Sequence, residues 1–209
     1  DSAYEIDLIR SIAGRNPDHT LNVGIRCNFD ISDGVLSRFG FDIESDDFPK
    51  VLEFVKNTTN VHLSGLHCHF ATRRLETWRP RAEGMLDLIE KLGIVPEYID
   101  LGGGLFGKMA DSLKVQFDSY VPTYDEYAKA VASLFAERFK DVNNQPLLLI
   151  EPGSALVGDC MQFASRVINI KSVRGKIIAT LLGSIYNINP TLNTKNPPIK
   201  VFAMGNEQK

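Results

Sequence analysis

Four short apolar runs, residues 21–26, 61–69, 98–101 and 146–150, alternate with longer segments whose apolar side chains recur every three or four residues. This alternation restricts the chain to one class of fold. The runs lack strict polar alternation, as strands do when a sheet is covered on both faces. The segments between them read as helices. Ser2 with Glu5 is a capping-box pattern ahead of Ile6, Leu8, Ile9, Ile12 and Ala13, an apolar face that ends near Gly14. A helix from about Asp46 has Pro49 in its first turn and Val51, Leu52, Phe54 and Val55 facing inward. Residues 78–92 carry Met85, Leu86, Leu88 and Ile89 before Gly93 stops the helix, and Thr123 with Glu126 caps another through Tyr127, Val131, Leu134 and Phe135. The pattern predicts an α/β chain on a parallel sheet. After Glu151 the texture changes: residues 163–173 alternate, 177–182 are apolar, and 187–198 are rich in Asn, Pro and Thr. An antiparallel β region is expected to begin there, dividing the chain into domains 1–160 and 161–209.

Composition narrows the classes of function. With 44% hydrophobic and 23% charged residues over 209 positions, the chain can bury a substantial core and reads as a globular enzyme. A formal net charge of −3 gives no electrostatic reason for a nucleic acid or an anionic membrane as partner. Cys27, Cys68 and Cys160 are odd in number, widely spaced and without a CxxC pair, so neither a disulfide framework nor a zinc site is expected, and a reducing, cytoplasmic setting fits best. No apolar run reaches membrane-spanning length, and the first five residues lack the basic-then-apolar pattern of a signal peptide.

Three clusters stand directly after predicted strands: Gly65-Leu-His-Cys-His69, Asp100-Leu-Gly-Gly-Gly104 and Glu151-Pro-Gly153. Strand ends of a barrel are where side chains and backbone amides converge on a ligand. Successive glycines let the backbone approach a phosphate and aim amides at it, although a tight turn or close packing also calls for Gly102, Gly103 and Gly104. The spacing matches neither a dinucleotide fold nor a P-loop. His67 and His69, two apart on a strand, share a face, with Cys68 on the other. That pair raises metal ligation, but Glu151 has a better use and no metal is expected. His69, nearer the strand's end, is the stronger functional candidate, whereas His67 reads equally well as a buried structural histidine. Glu151, at the end of an apolar strand, needs a cationic or protonated partner. A structural ion pair would serve, and so would the protonated nitrogen of a pyridine ring, which the carboxylate would hold as an electron sink.

Taken in order, these clusters resemble the barrel-type pyridoxal-phosphate decarboxylases, the family of diaminopimelate, ornithine and arginine decarboxylases. Asp1-Ser2 with Glu5 is similar to that family's Asp-Ser-x-x-Glu-Leu stretch, Ile25-Arg-Cys-Asn28 to its Leu-Arg-x-Asn strand, and Ser37-Arg-Phe-Gly40 to its Ser-Lys-Phe-Gly loop. Residues 65–72 resemble Gly-x-x-x-His-x-Gly-Ser, 100–104 Asp-x-Gly-Gly-Gly, and 151–153 the start of Glu-Pro-Gly-Arg. The resemblance implies a (β/α)8 barrel, here partial, followed by the start of an antiparallel β domain, with pyridoxal 5'-phosphate as cofactor. It implies that His69 stacks on the cofactor ring, that Thr72 and the amides of Gly102, Gly103 and Gly104 hold the phosphate with Gly153 and Ser154 nearby, that Glu151 pairs with the ring nitrogen, and that Arg26 lies near the ring's oxygen side. His69 and Glu151 would be catalytic. A carboxylate at the nitrogen favours decarboxylation over racemisation, whose enzymes place an arginine there.

Departures from the pattern set further expectations. Ser154 replaces the arginine after Glu-Pro-Gly and removes a phosphate clamp, while Arg38 and Ala71-Thr72 keep the charge and hydroxyl of the residues they replace. Nothing resembles the Tyr-Ala-x-Lys strand that carries the Schiff-base lysine, and four strand-helix steps fall short of the eight and about 250 residues of a closed barrel. The expectation is the central and later part of a longer homodimeric enzyme with shared active sites, acting on a basic or diamino acid and inactive as the isolated chain. A racemase of the same fold and a non-catalytic binding homologue remain the alternatives. Arg73, Arg74 and Arg79 could meet a second substrate carboxylate, or form a solvated helix start.

Overall fold

Pairing of Gly24 with Gly65, and of Gly65 with Tyr98, leaves a bare floor across two strands, and the Tyr98 ring lies on it: a Cβ on either glycine would strike the ring or its hydroxyl. The computed structural model describes residues 1–141, 143, 145–188 and 195–203. It contains a five-stranded, all-parallel sheet in the order β2-β1-β3-β4-β5, formed by β1 (Leu21–Asn28), β2 (Phe41–Asp42), β3 (Val61–His67), β4 (Tyr98–Asp100) and β5 (Leu147–Leu149). The crossovers carry α2 (Asp47–Asn57), α3 (Trp78–Leu92) and α5 (Tyr124–Arg138), and α1 (Ala3–Arg15) precedes the sheet. Four of these strands and all four of these helices follow the sequence periodicity. The two-residue β2 was not expected; it has no periodicity of its own and exists through its pairing to Cys27 and Asn28.

Local chemistry accounts for the element ends. Ser2 and Glu5 form the anticipated capping box, as do Thr123 and Glu126. Gly93 closes α3 in the left-handed conformation, its amide donating to Glu90 and Ile89 carbonyls. The helices bury their predicted faces on one side of the sheet: Val51 and Phe54, Met85, Leu88 and Ile89, and Tyr127, Val131 and Phe135 pack with Ile25, Cys27, Leu66, Cys68, Ile99 and Leu101 of the strands and their ends. Full burial of each large side chain contributes roughly 1.5–3 kcal/mol, which is why these positions set the register. The first helix departs from expectation. Ile6, Ile9 and Ala13 face Phe54 and Val61, but Leu8 and Ile12 are 47% and 42% exposed because α1 is covered along one stripe only.

The chain divides into two compact units, residues 1–107 with 122–155, and residues 108–121 with 156–209. The second contains the short helix α4 (Asp111–Lys114), the antiparallel pair β6 (Val167–Val173) and β7 (Lys176–Leu181), and α7 (Ile185–Ile188); α6 (Ser154–Val157) begins in the first unit. The expected antiparallel strands are therefore present, and every residue in them is exposed. Of the Asn-, Pro- and Thr-rich tract, residues 189–194 lie outside the described residues.

Candidate active site

Parallel register builds the site. Arg26 pairs with His67, His67 with Asp100, and Asp100 with Leu149, so these four form one row across β1, β3, β4 and β5 and point to the same side. Two residues further along, the chain leaves each of the last three strands, and His69, Gly102 and Glu151 form a second row; the Glu151 amide donates to the Gly102 carbonyl at 2.9 Å. Cys68 faces the helices and is fully buried, as the period-two argument requires.

The second row brings an imidazole and a carboxylate together. Glu151 Oε2 lies 3.2 Å from His69 Nδ1 and 3.5 Å from His67 Nε2. The carboxylate was expected at a buried strand end; it is instead 48% exposed, because residue 151 already lies beyond β5. No arginine pairs with it among the described residues. His69 Nδ1 is also 3.3 Å from the Gly103 amide, which can only donate, so a single tautomer satisfies either Gly103 or Glu151 but not both. His67 is better defined. Arg26 Nε donates to its Nδ1 at 3.1 Å, placing the proton of the neutral ring on Nε2, which is buried, lacks hydrogen-bond geometry to any partner and faces the carboxylate. Burial is the main cause that lowers the His67 pKa; Asp100 and Glu151 oppose it, while Arg26 and His69 act in the same direction as burial. The three residues bring one ligand atom each within 4.8 Å of one another, so the donor set that the sequence set aside for a metal does converge.

The glycines have a packing reason that geometry makes explicit. Gly102 and Gly104 adopt φ of +69° and +91°, and a Cβ would meet the Cys68 carbonyl at Gly102, Glu151 O at 2.5 Å at Gly103, and Thr72 O at 3.0 Å at Gly104. Their first neighbour is the protein's own backbone. Two of the three amides are engaged internally, Gly102 N with Asp100 Oδ1 at 2.8 Å and Gly103 N with His69. The Thr72 hydroxyl donates to the Asp33 carboxylate, a contact that the sequence did not reveal because Asp33 lies in a loop 39 residues away. Arg26 reaches His67 and, at 3.1 Å, Asp1 Oδ1. Gly153 is left-handed at φ +51° and leads into α6, whose first residue, Ser154, is exposed. Arg79 pairs with Glu83 at 2.8 Å and Arg74 with Glu76 at 3.5 Å, the solvated-surface alternative for both, while the Arg73 guanidinium lies 5.7 Å from the centre of the Phe106 ring.

A residue that sequence reading overlooked underlies the loops. Arg81 is fully buried, and its guanidinium donates to Gly103 O at 2.7 Å and to Thr72 O. It stacks between Trp78 and Phe70, 4.6 and 5.5 Å from their ring centres. Burial lowers its pKa to about 10, so it stays charged at neutral pH. Its place on the apolar stripe, four residues before Met85 and seven before Leu88, was the signal available in the sequence.

Comparison with known proteins places this geometry in a family. Residues 1–158 match the family described as pyridoxal-dependent decarboxylase, pyridoxal binding domain. The diaminopimelate decarboxylase of Methanocaldococcus jannaschii is 29% identical over 186 residues, covering 82% of this chain and 40% of the relative, and that of Bacillus methanolicus is 28% identical over 212 residues, covering 92% and 47%. This chain thus spans about half the length, or less, of these curated relatives. A crystal structure of the M. jannaschii enzyme superposes with a TM-score of 0.72 at 25% identity, over 91% of this chain and 45% of that one. The Helicobacter pylori enzyme complexed with L-lysine superposes at 0.72 with 18% identity, covering 99% and 52%, a likeness of fold. A parallel strand-helix sheet followed by a small antiparallel one, three strand ends meeting at an imidazole, a carboxylate and a glycine run, and a family match over residues 1–158 lead to one conclusion: the chain belongs to the pyridoxal-dependent decarboxylases, through their pyridoxal binding domain.

Proposed function

We propose that the complete protein is a pyridoxal 5'-phosphate-dependent decarboxylase of a diamino acid, with diaminopimelate favoured because the relatives above carry that name. The observation that carries the reading is the convergence of Glu151 on His69 beside the Gly102–Gly104 turn. The residues fit the cofactor: the buried His67 Nε2 offers a proton without a hydrogen-bond partner at the same carboxylate, and no arginine occupies that carboxylate among the described residues. Bound there, the cofactor supplies an electron sink for the charge left when carbon dioxide departs.

The chain's own residues would do the following. Glu151 holds a proton at the ring nitrogen, since a carboxylate stabilises the protonated pyridine. His69 offers its flat face to the ring, and Arg26 fixes the tautomer of His67, keeping an N–H directed at the site. The Gly102–Gly104 turn, with Thr72 and the Gly153-Ser154 segment, receives the phosphate. In the same reading residues 1–160 form the cofactor-binding barrel segment and 161–209 the start of a β domain, the enzyme is a cytoplasmic homodimer whose subunits complete each other's sites, and the substrate is a free amino acid. No helix among the described residues is long and apolar enough to cross a membrane. A visible absorption band in the full-length protein, removed by borohydride, together with carbon dioxide release from diaminopimelate, tests the proposal. A lysine-less binding homologue would show neither, and a racemase would invert its substrate without releasing gas.

A further inference from the structure

Arg81 occupies a position that ordinary stability arguments disfavour. It lies in the first turns of α3, where the helix macrodipole is positive and no acidic residue stands in the first turn. It is fully buried, no carboxylate pairs with it among the described residues, and its Nε has no hydrogen-bond partner. The one carboxylate that acts on it among the described residues, Asp33, is engaged by Thr72. A buried cation without a counter-charge is expensive unless an anion is brought to it.

The hydrogen bonds of Arg81 fix the orientation of two peptide groups. The guanidinium draws the carbonyls of Gly103 and Thr72 toward itself. In a planar trans peptide the N–H lies on the opposite side from the C=O, so the amides of Gly104 and Arg73 are turned away from Arg81. The two peptides are neighbours, since a Cβ on Gly104 would come within 3.0 Å of Thr72 O and 3.5 Å of Arg81 Nη2. Gly102 N and Gly103 N already have internal acceptors, which leaves the amide whose direction Arg81 sets as the third of the glycine run. Tyr127 holds the next peptide of the same loop by donating to the Arg73 carbonyl at 2.5 Å.

We propose that Arg81 is a positioning residue for the cofactor's phosphate: it orients the Gly104 and Arg73 amides toward the anion and places a fixed positive charge behind them. This role rests on the cofactor reading above. It also answers the neutral Ser154, because the charge comes from beneath the turn rather than from a side chain after Glu151-Pro-Gly153.

The test compares pyridoxal 5'-phosphate with pyridoxal, which lacks the phosphate, on the full-length protein. Arg81→Met should weaken the phosphorylated ligand by about tenfold or more while leaving pyridoxal within about twofold, and Arg81→Lys, which keeps charge but not the forked geometry, should fall between. In the unmodified protein, amide hydrogen exchange in segments 70–75 and 102–106 should slow with pyridoxal 5'-phosphate and not with pyridoxal, a readout that needs no variant to fold. Equal loss for both ligands in the variants, unchanged selectivity in Arg81→Met, or exchange that pyridoxal slows equally overturns the role of Arg81. A wild-type protein that does not distinguish the two ligands overturns the cofactor reading as well.

Discussion

Glu151 Oε2 stands 3.2 Å from His69 Nδ1 across 82 residues of chain, and the same oxygen faces the proton-bearing side of His67. Neither histidine is the carboxylate's neighbour in sequence. Parallel register brings them together, since each lies two residues past a member of one paired row or within it.

Replacing Glu151 with Gln keeps the size and a hydrogen-bonding oxygen but removes the charge that would hold a proton on the ring nitrogen. Decarboxylation by the full-length protein should fall by about 10²-fold or more. Because residue 151 is exposed, thermal stability should be unchanged. A kcat within about twofold of wild type would refute the role.

Gly102 and Gly93 both have positive φ but different surroundings, and the contrast separates strain from crowding. Nothing lies within 4 Å of a Cβ at Gly93, whereas at Gly102 it would strike the Cys68 carbonyl and come within 2.9 Å of His69 Nδ1. Gly93→Ala should lose about 1 kcal/mol with activity intact. Gly102→Ala should lose more in the denaturant midpoint and shed cofactor absorbance, because His69 must move.

Tyr127→Phe should cost about 1–3 kcal/mol, the penalty for removing one partner of a buried hydrogen bond, here the 2.5 Å bond to the Arg73 carbonyl. Urea unfolding monitored by fluorescence reads the change. Some loss of phosphate affinity should accompany it, as the loop that carries the Arg73 amide is loosened one peptide further on.

Of the three cysteines, only Cys160 is exposed. Burial pushes the Cys27 thiol up to about 12 and the Cys68 thiol higher still. A raised pKa keeps the thiol neutral, and the thiolate is the nucleophile, so alkylation near pH 8 should label Cys160 alone under native conditions. Mass spectrometry after digestion checks the pattern, and modification of Cys68 in the folded protein would contradict the core described here.

Residue periodicity determined more of the fold than of the site. Helix α3 begins and ends at the positions the sequence predicts, and the capping boxes at Ser2 and Thr123 form, because caps and apolar stripes are settled within a few residues by backbone geometry. The sequence likewise grouped His69, Glu151 and the glycines at neighbouring strand ends, and the structure brings them within contact of one another. Their partners were decided by tertiary structure alone. That Thr72 is held by Asp33, that Arg26 selects the tautomer of His67, and that Arg81 lies buried under two loops all depend on contacts between strands and loops far apart in the chain. A hydrogen bond needs its partner within about 3 Å, and only packing brings such distant groups that close.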